Sequence, residues 1–474
     1  MPSRLVTVLE WGRRRAGADV GLRPLDALAS GGLHQAQATT GLNAAWLEGV
    51  SSFYDLLHGE AGPRACGATA CTFEGRAGAS SSNKAECLGR CYEAPAHQAR
   101  APKPIPRLSL LSQPVALREV LGHVSAEDEY RLPGGEAILD AIFASGLQGR
   151  GGAAYPTGLK WKAAKETPAV DRYVVANGDE GDPGSFVDRL LLEESPHAVL
   201  AGMKACALAV GASRLIVFIR GEYPHAADVV SAAASEATAR GWLDGLKVTV
   251  LSGAGSYVAG EETALLRSIE GLRAEPSPKP PYPAVAGLHG LPTVVQNVET
   301  LAMVPWVVRN RQRADVKVVC LSGAIARPGA VEIALGTPLR RVLDEAGGGP
   351  PQGRAWKMAL VGGPMGRVLR ADEFDAPLSY KDLPGLGHGG VVLLDERVSA
   401  RALAEHLFQF AAAESCGTCT PCRVGTAQLA RISDPKVFER LLVTLEEGSL
   451  CGFGQGVPRP LRDLIRLFPG EVFP

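Results

Sequence analysis

Four cysteines near the carboxyl end constrain this 474-residue chain more than any other feature. Cys416, Cys419 and Cys422 lie in Glu414-Ser-Cys-Gly-Thr-Cys-Thr-Pro-Cys-Arg-Val-Gly425, two residues apart from one another, and Cys451 follows in Ser449-Leu-Cys-Gly-Phe-Gly454. Short spacers let successive thiolates wrap one iron–sulfur cube while a distant cysteine closes the last corner. Structural zinc competes for cysteines, but it usually takes separated Cys-x-x-Cys pairs or Cys/His mixtures rather than a triple. The pattern therefore points to a [4Fe-4S] site.

Eight of the ten cysteines fall into two such clusters, which in a reducing compartment favours metal ligation over disulfides. In the second cluster, Cys66 and Cys71 form one pair, Cys87 and Cys91 another. Two pairs suit a two-iron cluster with one pair on each iron, and spacing alone leaves zinc open. Cys206 and Cys320 sit in apolar surroundings and read as buried structural thiols. A net charge of −1 gives no nucleic-acid or anionic-membrane footprint. The start of the chain, Met1 to Arg15, lacks the apolar core of a signal peptide, and Lys204 interrupts the longest apolar run. The expectation is a cytoplasmic protein without a membrane span.

Along the chain, helical patterns around Pro24 to Ala29 and Asn43 to Leu57 precede the first cysteine group. Prolines 95, 102, 104, 106 and 114 then suggest an extended linker. From 117 to 312 short apolar strands, Arg172–Asn177, Arg214–Arg220 and Leu246–Leu251, alternate with helices Pro196–Val210 and Ala226–Arg240, the signature of an α/β layer. From 316 to 393 the elements become short β segments around one helix, Pro338–Ala346, an α+β module. Ser399 and Asp434 are expected N-caps of a helical region carrying the four-cysteine site.

Three stretches carry the remaining chemistry. Gly146-Leu-Gln-Gly-Arg-Gly-Gly-Ala-Ala-Tyr-Pro-Thr-Gly-Leu-Lys-Trp161 joins glycines, which let backbone amides approach a phosphate or a flat ring, to the cations Arg150 and Lys160. It is neither the dinucleotide fingerprint nor a P-loop. Asn177-Gly-Asp-Glu-Gly-Asp-Pro-Gly-Ser-Phe-Val-Asp-Arg189 and Gly253-Ala-Gly-Ser-Tyr-Val-Ala-Gly-Glu-Glu-Thr263 each follow a predicted strand, where the crevice of an α/β sheet binds hydroxyl-rich ligands. Together they favour a nucleotide or flavin crevice over three unrelated turns.

These stretches, with Pro278-Lys-Pro-Pro-Tyr-Pro283, Pro292-Thr-Val-Val-Gln-Asn-Val-Glu-Thr300 and the four-cysteine site, occur in the order seen in one group. From about 117 to 474 the chain closely resembles the NADH-binding flavoprotein subunit of respiratory complex I and its soluble relatives, the diaphorase subunits of NAD-dependent formate dehydrogenases and NAD-reducing hydrogenases. Val50-Ser-Ser-Phe-Tyr-Asp55 and the Cys66 to Cys91 group resemble a shortened form of the family's companion thioredoxin-like [2Fe-2S] subunit. The resemblance implies residues 1–95 as a shortened thioredoxin-like [2Fe-2S]-type module, 96–116 as linker and 117–312 as an FMN- and NADH-binding α/β domain. It further implies 316–393 as a ubiquitin-like β-grasp module and 395–474 as a helical [4Fe-4S] domain.

Carried over by motif, Gly149, Arg150, Gly151, Gly152, Lys160, Asn177, Asp179, Glu180, Gly260, Glu261, Gln296 and Asn297 would hold FMN. Tyr155, Asp182, Tyr257, Glu262, Lys279 and Tyr282 would meet NADH. Ala154, Tyr155, Asp182, Gln296, Tyr282 and Ala163 depart from the common pattern, which leaves NAD versus NADP preference open. The implied function is a diaphorase: a hydride passes between nicotinamide and FMN, and single electrons pass to the Cys416 cluster, with no side chain acting as acid or base. Formate dehydrogenase is the first expectation for the assembly, with a molybdenum subunit and a thioredoxin-like [2Fe-2S] subunit as partners. An NAD-reducing hydrogenase is the runner-up, and a flavin-free electron-transfer scaffold the rival from another class.

Overall fold

The computed structural model of the chain describes residues 24–40, 42, 44–54, 65–74, 84–85, 87–94, 96 and 102–473. The amino-terminal stretch read above, the 55–57 end of the second helical pattern, Glu86 and Pro95 lie outside them. Helices Pro24–Thr40, interrupted at Gly32, and Ala44–Ser51 pack through Ala27, Ala36 and Leu47. Strands β1 (Ala65–Cys66) and β2 (Lys84–Ala85) pair in parallel and bracket the helix Thr69–Glu74. Part of the stretch expected as linker is structured differently. Its segment Arg107–Ser109, β3, adds in parallel to the edge of a sheet formed by residues more than 200 positions later, because its backbone groups find partners there.

Strands β4 (Tyr173–Gly178), β5 (Arg214–Ile219), β6 (Lys247–Ser252) and β7 (Thr293–Asn297) form an all-parallel sheet in the order β6-β5-β4-β7. Side chains alternate across a pleated strand, so each face has its own core. Tyr173, Val175, Ile216, Phe218 and Val295 meet Leu265, Leu266 and Ile269 of the helix Glu262–Ile269. Val174, Ala176, Leu215, Val217 and Val294 face the core that includes the helices Pro196–Val210 and Val298–Asn310. Those two helices approach so closely that a Cβ on Gly202 would stand 2.0 Å from the Leu301 carbonyl oxygen.

Strands β8 (Val316–Gly323), β9 (Gly329–Ala334), β10 (Trp356–Val361), β11 (Arg367–Arg370) and β12 (Gly390–Asp395) build the second sheet, ordered β11-β10-β12-β8-β9-β3. One face, with Val319, Leu321, Ala359, Val361, Val391 and Leu393, closes over Leu339, Val342 and Leu343. The other, with Val318, Cys320, Met358, Leu360 and Val392, joins the core of the parallel-sheet region. The helix expected over Pro338–Ala346 is shorter, Leu339–Val342, and widens into a π turn over Leu343–Gly347. Beyond β12 the chain is helical; Ser399 caps Ala400–Ala413 and Asp434 caps Pro435–Gly448, each accepting from backbone amides of the first turn. No helix among the described residues is long and apolar enough to cross a membrane.

Candidate active site

Because the four strands are parallel, their carboxyl ends share one edge, and the strand order turns back between β4 and β7, where open sheets form a crevice. Asn177 and Asn297 are register partners at that point. Asn297 caps the helix Val298–Asn310 by accepting from the Thr300 amide at 3.2 Å. Asn177 accepts from the Asp179 amide at 3.1 Å and donates to the Gly260 carbonyl at 2.9 Å. A Cβ on Gly260 would lie 2.9 Å from the Asp179 carbonyl oxygen, so only glycine lets the two loops meet. The result is a cleft of about 780 Å³.

Every position expected to meet NADH lines this cleft, and so does every position expected to hold FMN except Arg150, Gly152 and Glu180. Arg150 is 1% exposed and its guanidinium donates to the carbonyls of Gln148, Ala314 and Val316 at 2.7–2.9 Å, which fastens the glycine loop to the start of β8. The FMN-holding role expected of it is therefore not open to its side chain. The buried Glu180 carboxylate accepts from Ser185 Oγ at 2.7 Å and from the amides of Asp188 and Arg189 at 3.2 and 3.1 Å, capping the helix Val187–Glu194 instead of facing the cleft. Gly152 faces Gly387. Ala154 takes φ 50°, the left-handed region that favours glycine, at the position where it departs from the family pattern.

The cations of the cleft are paired. Lys160 Nζ lies 3.2 Å from Glu262 and donates to the Val295 carbonyl at 3.0 Å; Lys279 Nζ lies 2.7 Å from Glu261 and 3.1 Å from Glu262. Burial by itself would raise the Glu262 pKa, but Lys160 and Lys279 outweigh it and hold the carboxyl below its ordinary range. Burial pushes Asp179 up to about 7. Asp179 Oδ2 and Gln296 Oε1 are buried in the cleft wall without a hydrogen-bond partner among the described residues. Two unpartnered acceptors beside glycine-flanked loops fit a ligand rich in N–H and O–H donors, as the isoalloxazine and ribityl groups of FMN are. Tyr155 and Tyr282 stand at the cleft, 52% and 58% exposed, with rings free to stack on a base.

Residues given no role from the sequence also line the cleft, among them Asp188, Met365, His388 and Phe453, and so does Cys451, expected only as a cluster ligand. Asp188 belongs to the acidic stretch after β4 and could have been found there. Met365 and His388 come from loops of the second sheet and carry no local signal.

Cys416, Cys419, Cys422 and Cys451 gather with Tyr257, Phe410, Phe453 and Met365. Backbone amides are aimed at the sulfurs: Phe453 and Gly454 at Cys451, and Leu450 at Cys419 at 3.5 Å, while Ser415 Oγ lies 3.3 Å from Cys422 Sγ. Such donors stabilise thiolates and the iron–sulfur clusters they hold. Tyr257 connects cleft and cysteines: its hydroxyl bonds Asp182, its amide donates to Glu414 at 3.0 Å, and its ring packs on Phe410 and Phe453.

The thiols of the other group stand within hydrogen-bond reach in succession, Cys71 to Cys66 to Cys87 to Cys91, with amides of Leu88, Ala96 and Gly89 donating to Cys66, Cys71 and Cys87 at 3.3–3.4 Å. Four convergent thiols fit a metal cluster. The group is seated on the parallel-sheet region by Arg220, which donates to the Cys87 carbonyl at 2.9 Å, by Arg189 on the Gly89 carbonyl at 3.3 Å, and by the Gly184 amide on the Cys91 sulfur.

Comparison with known proteins adds three family matches. Residues 142–306 match the Nuo51 FMN-binding domain, 318–369 the SLBB domain, and 402–473 the NADH-ubiquinone oxidoreductase-F iron-sulfur binding region. The chain is 37% identical over 367 residues to the NADP-reducing hydrogenase subunit HndC of Solidesulfovibrio fructosivorans, spanning 70% of this chain and 75% of that protein. It is 36% identical over 389 residues to the F 2 subunit of NADH-quinone oxidoreductase in Rhizobium meliloti strain 1021, spanning 75% and 90%. Among solved structures, a chain of an NAD+-reducing [NiFe]-hydrogenase in the H2-reduced state matches with a TM-score of 0.84 at 28% identity, over 98% of this chain and 92% of that one.

Proposed function

We propose, because this chain belongs to the family of NADH-binding flavoprotein subunits found in NADH-quinone oxidoreductase, that it is the diaphorase subunit of a nicotinamide-linked hydrogenase. Membership carries the coarser statement directly: the chain is an FMN-dependent oxidoreductase subunit with a four-iron binding region, and its family uses NADH.

The observation that carries the reading is that Cys451 and Phe453, from the four-cysteine site, form one wall of the cleft. FMN bound in the cleft would supply the conversion between the two-electron chemistry of a nicotinamide and the one-electron chemistry of iron–sulfur clusters. The chain's own residues bind and orient. Lys160, Asn177, Asp179, Gln296 and Asn297 hold FMN against the strand ends. Tyr155 and Tyr282 stack on the adenine of the dinucleotide, while Asp182, Tyr257, Glu262 and Lys279 receive its remainder. Cys416, Cys419, Cys422 and Cys451 ligate the four-iron cluster, and Cys66, Cys71, Cys87 and Cys91 a [2Fe-2S] cluster in a shortened thioredoxin-like module spanning about residues 1–95.

Hydrogenase moves ahead of formate dehydrogenase for one reason. The likeness to the hydrogenase chain extends over nearly all of this chain, the amino-terminal cysteine group included. Co-purification with a molybdenum subunit would reverse that order. The test of the diaphorase itself is an anaerobic optical titration of the purified chain with NADH and, in parallel, NADPH. Bleaching of a flavin band is expected; a protein without flavin, or a flavin that neither nucleotide bleaches, would bring the scaffold reading forward.

A further inference from the structure

We propose that His388, delivered by the loop before β12, is a positioning residue for FMN: it is the buried cation that balances Asp188 and so keeps Asn297 and the adjoining end of the cleft able to accept the cofactor. The proposal rests on the reading that FMN occupies this cleft.

His388 is 7% exposed, and its Nε2 lies 3.1 Å from Asp188 Oδ2. Its Nδ1 is 3.9 Å from Glu180, and its backbone amide donates to the Asp182 carboxylate. The Asn297 side-chain amide donates to both Asp188 oxygens, at 3.1 and 2.8 Å, and stands 2.9 Å from His388 Nε2. The orientation of that amide follows from the helix it caps: its oxygen accepts from the Thr300 amide, so its NH2 must face Asp188. Asn297 therefore offers His388 no acceptor, so a proton carried on Nε2 goes to Asp188.

The charged groups facing the ring are Asp188, Glu180 and Asp182, with the Lys317 ammonium behind it already paired with Glu299. Removing one partner of a buried charge pair leaves the other uncompensated, which is costly in low dielectric. A bare Asp188 would also repel the phosphate of an approaching cofactor. With the pair neutral, the positive end of the 13-residue helix Val298–Asn310 is left to act on an anion at that end. Burial would lower the imidazole pKa, but Asp188 and then Glu180 outweigh it and raise it to about 9. Asp188, Asn297 and His388 all line the cleft, so the pair acts at the cofactor's surface. Glu180, Asp188 and His388 also offer ligand atoms within 4.8 Å of one another, the spacing of a divalent-metal site, which the test must separate from a charge pair.

FMN affinity is measured by fluorescence quenching on the full chain, stripped and refilled, across about pH 6 to 10, alongside metal analysis. Wild type is expected to lose affinity by roughly tenfold or more as pH rises through about 9. His388→Gln should bind weakly throughout and show no step, and His388→Gln with Asp188→Asn should recover most of the loss, because both charges are then gone. Asp188→Asn alone should abolish the loss of affinity at high pH, because a deprotonated His388 then leaves no bare carboxylate at that position; a merely structural role would not do this, and this variant carries the test if His388→Gln does not fold. Wild-type affinity and step in His388→Gln, a double variant no better than that single one, a step that persists in Asp188→Asn, or a stoichiometric divalent metal that His388→Gln removes would each overturn the proposal. A wild-type chain that takes up no FMN at any pH would instead strike the reading of the cleft.

Discussion

Lys317 and Glu299 form a buried ion pair where the second sheet meets the parallel-sheet region, both side chains being wholly inaccessible. Lys317 also donates to the Val318 carbonyl at 2.9 Å, and Glu299 accepts from the Val318 amide at 2.8 Å, so the pair is satisfied as well as neutral. Lys317→Met is expected to destabilise the chain by about 3–5 kcal/mol, since it strands a buried carboxylate. Lys317→Met with Glu299→Gln should be markedly less destabilised; urea denaturation of the three proteins checks this, and equal losses in single and double variants would contradict it. Arg150 makes a contrast at the same scale. Lys317 carried no expectation and Arg150 was expected to hold FMN, yet one is locked to a carboxylate and the other to three carbonyls, and nothing in the neighbouring residues distinguishes those fates. Glu180 belongs with them: its place after β4 was legible, but its turn inward to cap Val187–Glu194 depended on where that helix begins.

Among the elements, the α/β region followed its periodicity closely. The helix Pro196–Val210 begins at a proline and stops at Gly211 in the left-handed conformation, both local signals. Its packing on Val298–Asn310 was not local. Gly202 is a mid-helix glycine, a residue that weakens a helix in isolation, and it is there because Leu301 leaves no room for a Cβ. Gly202→Ala should therefore raise the intrinsic propensity of the helix and still destabilise the protein, by about 1–3 kcal/mol or more. A thermal melt showing increased stability would refute the close approach. The strands absent from the sequence reading, β1, β2, β3, β7 and β11, are 2, 2, 3, 5 and 4 residues long. Segments that short acquire their strand character from the neighbours that accept their hydrogen bonds, more than from their own composition.

For the molecule as a whole, the cleft is assembled from the parallel sheet, from two loops of the second sheet and from the four-cysteine region, so the proposed flavin site and the proposed cluster site share a wall. Cys419→Ser is accordingly expected to abolish electron delivery to partner proteins while NADH still bleaches the bound FMN at close to the wild-type rate. Loss of the bleaching too, with fold and flavin content intact, would show that the two sites cannot be separated. Legible in the residues alone were the resemblance to the family, the alternation of strands and helices that makes an α/β layer, and the cysteine spacing that suits an iron–sulfur cluster, because each is written in the order and spacing of residues along the chain. Folding added that Asn177 and Asn297 are register partners, that Cys451 borders the cleft, and that a histidine 91 residues beyond Asn297 sits against it. Those relations depend on strand register and on how one sheet packs over another, and the residues flanking a side chain carry no information about the surface it will meet across that distance.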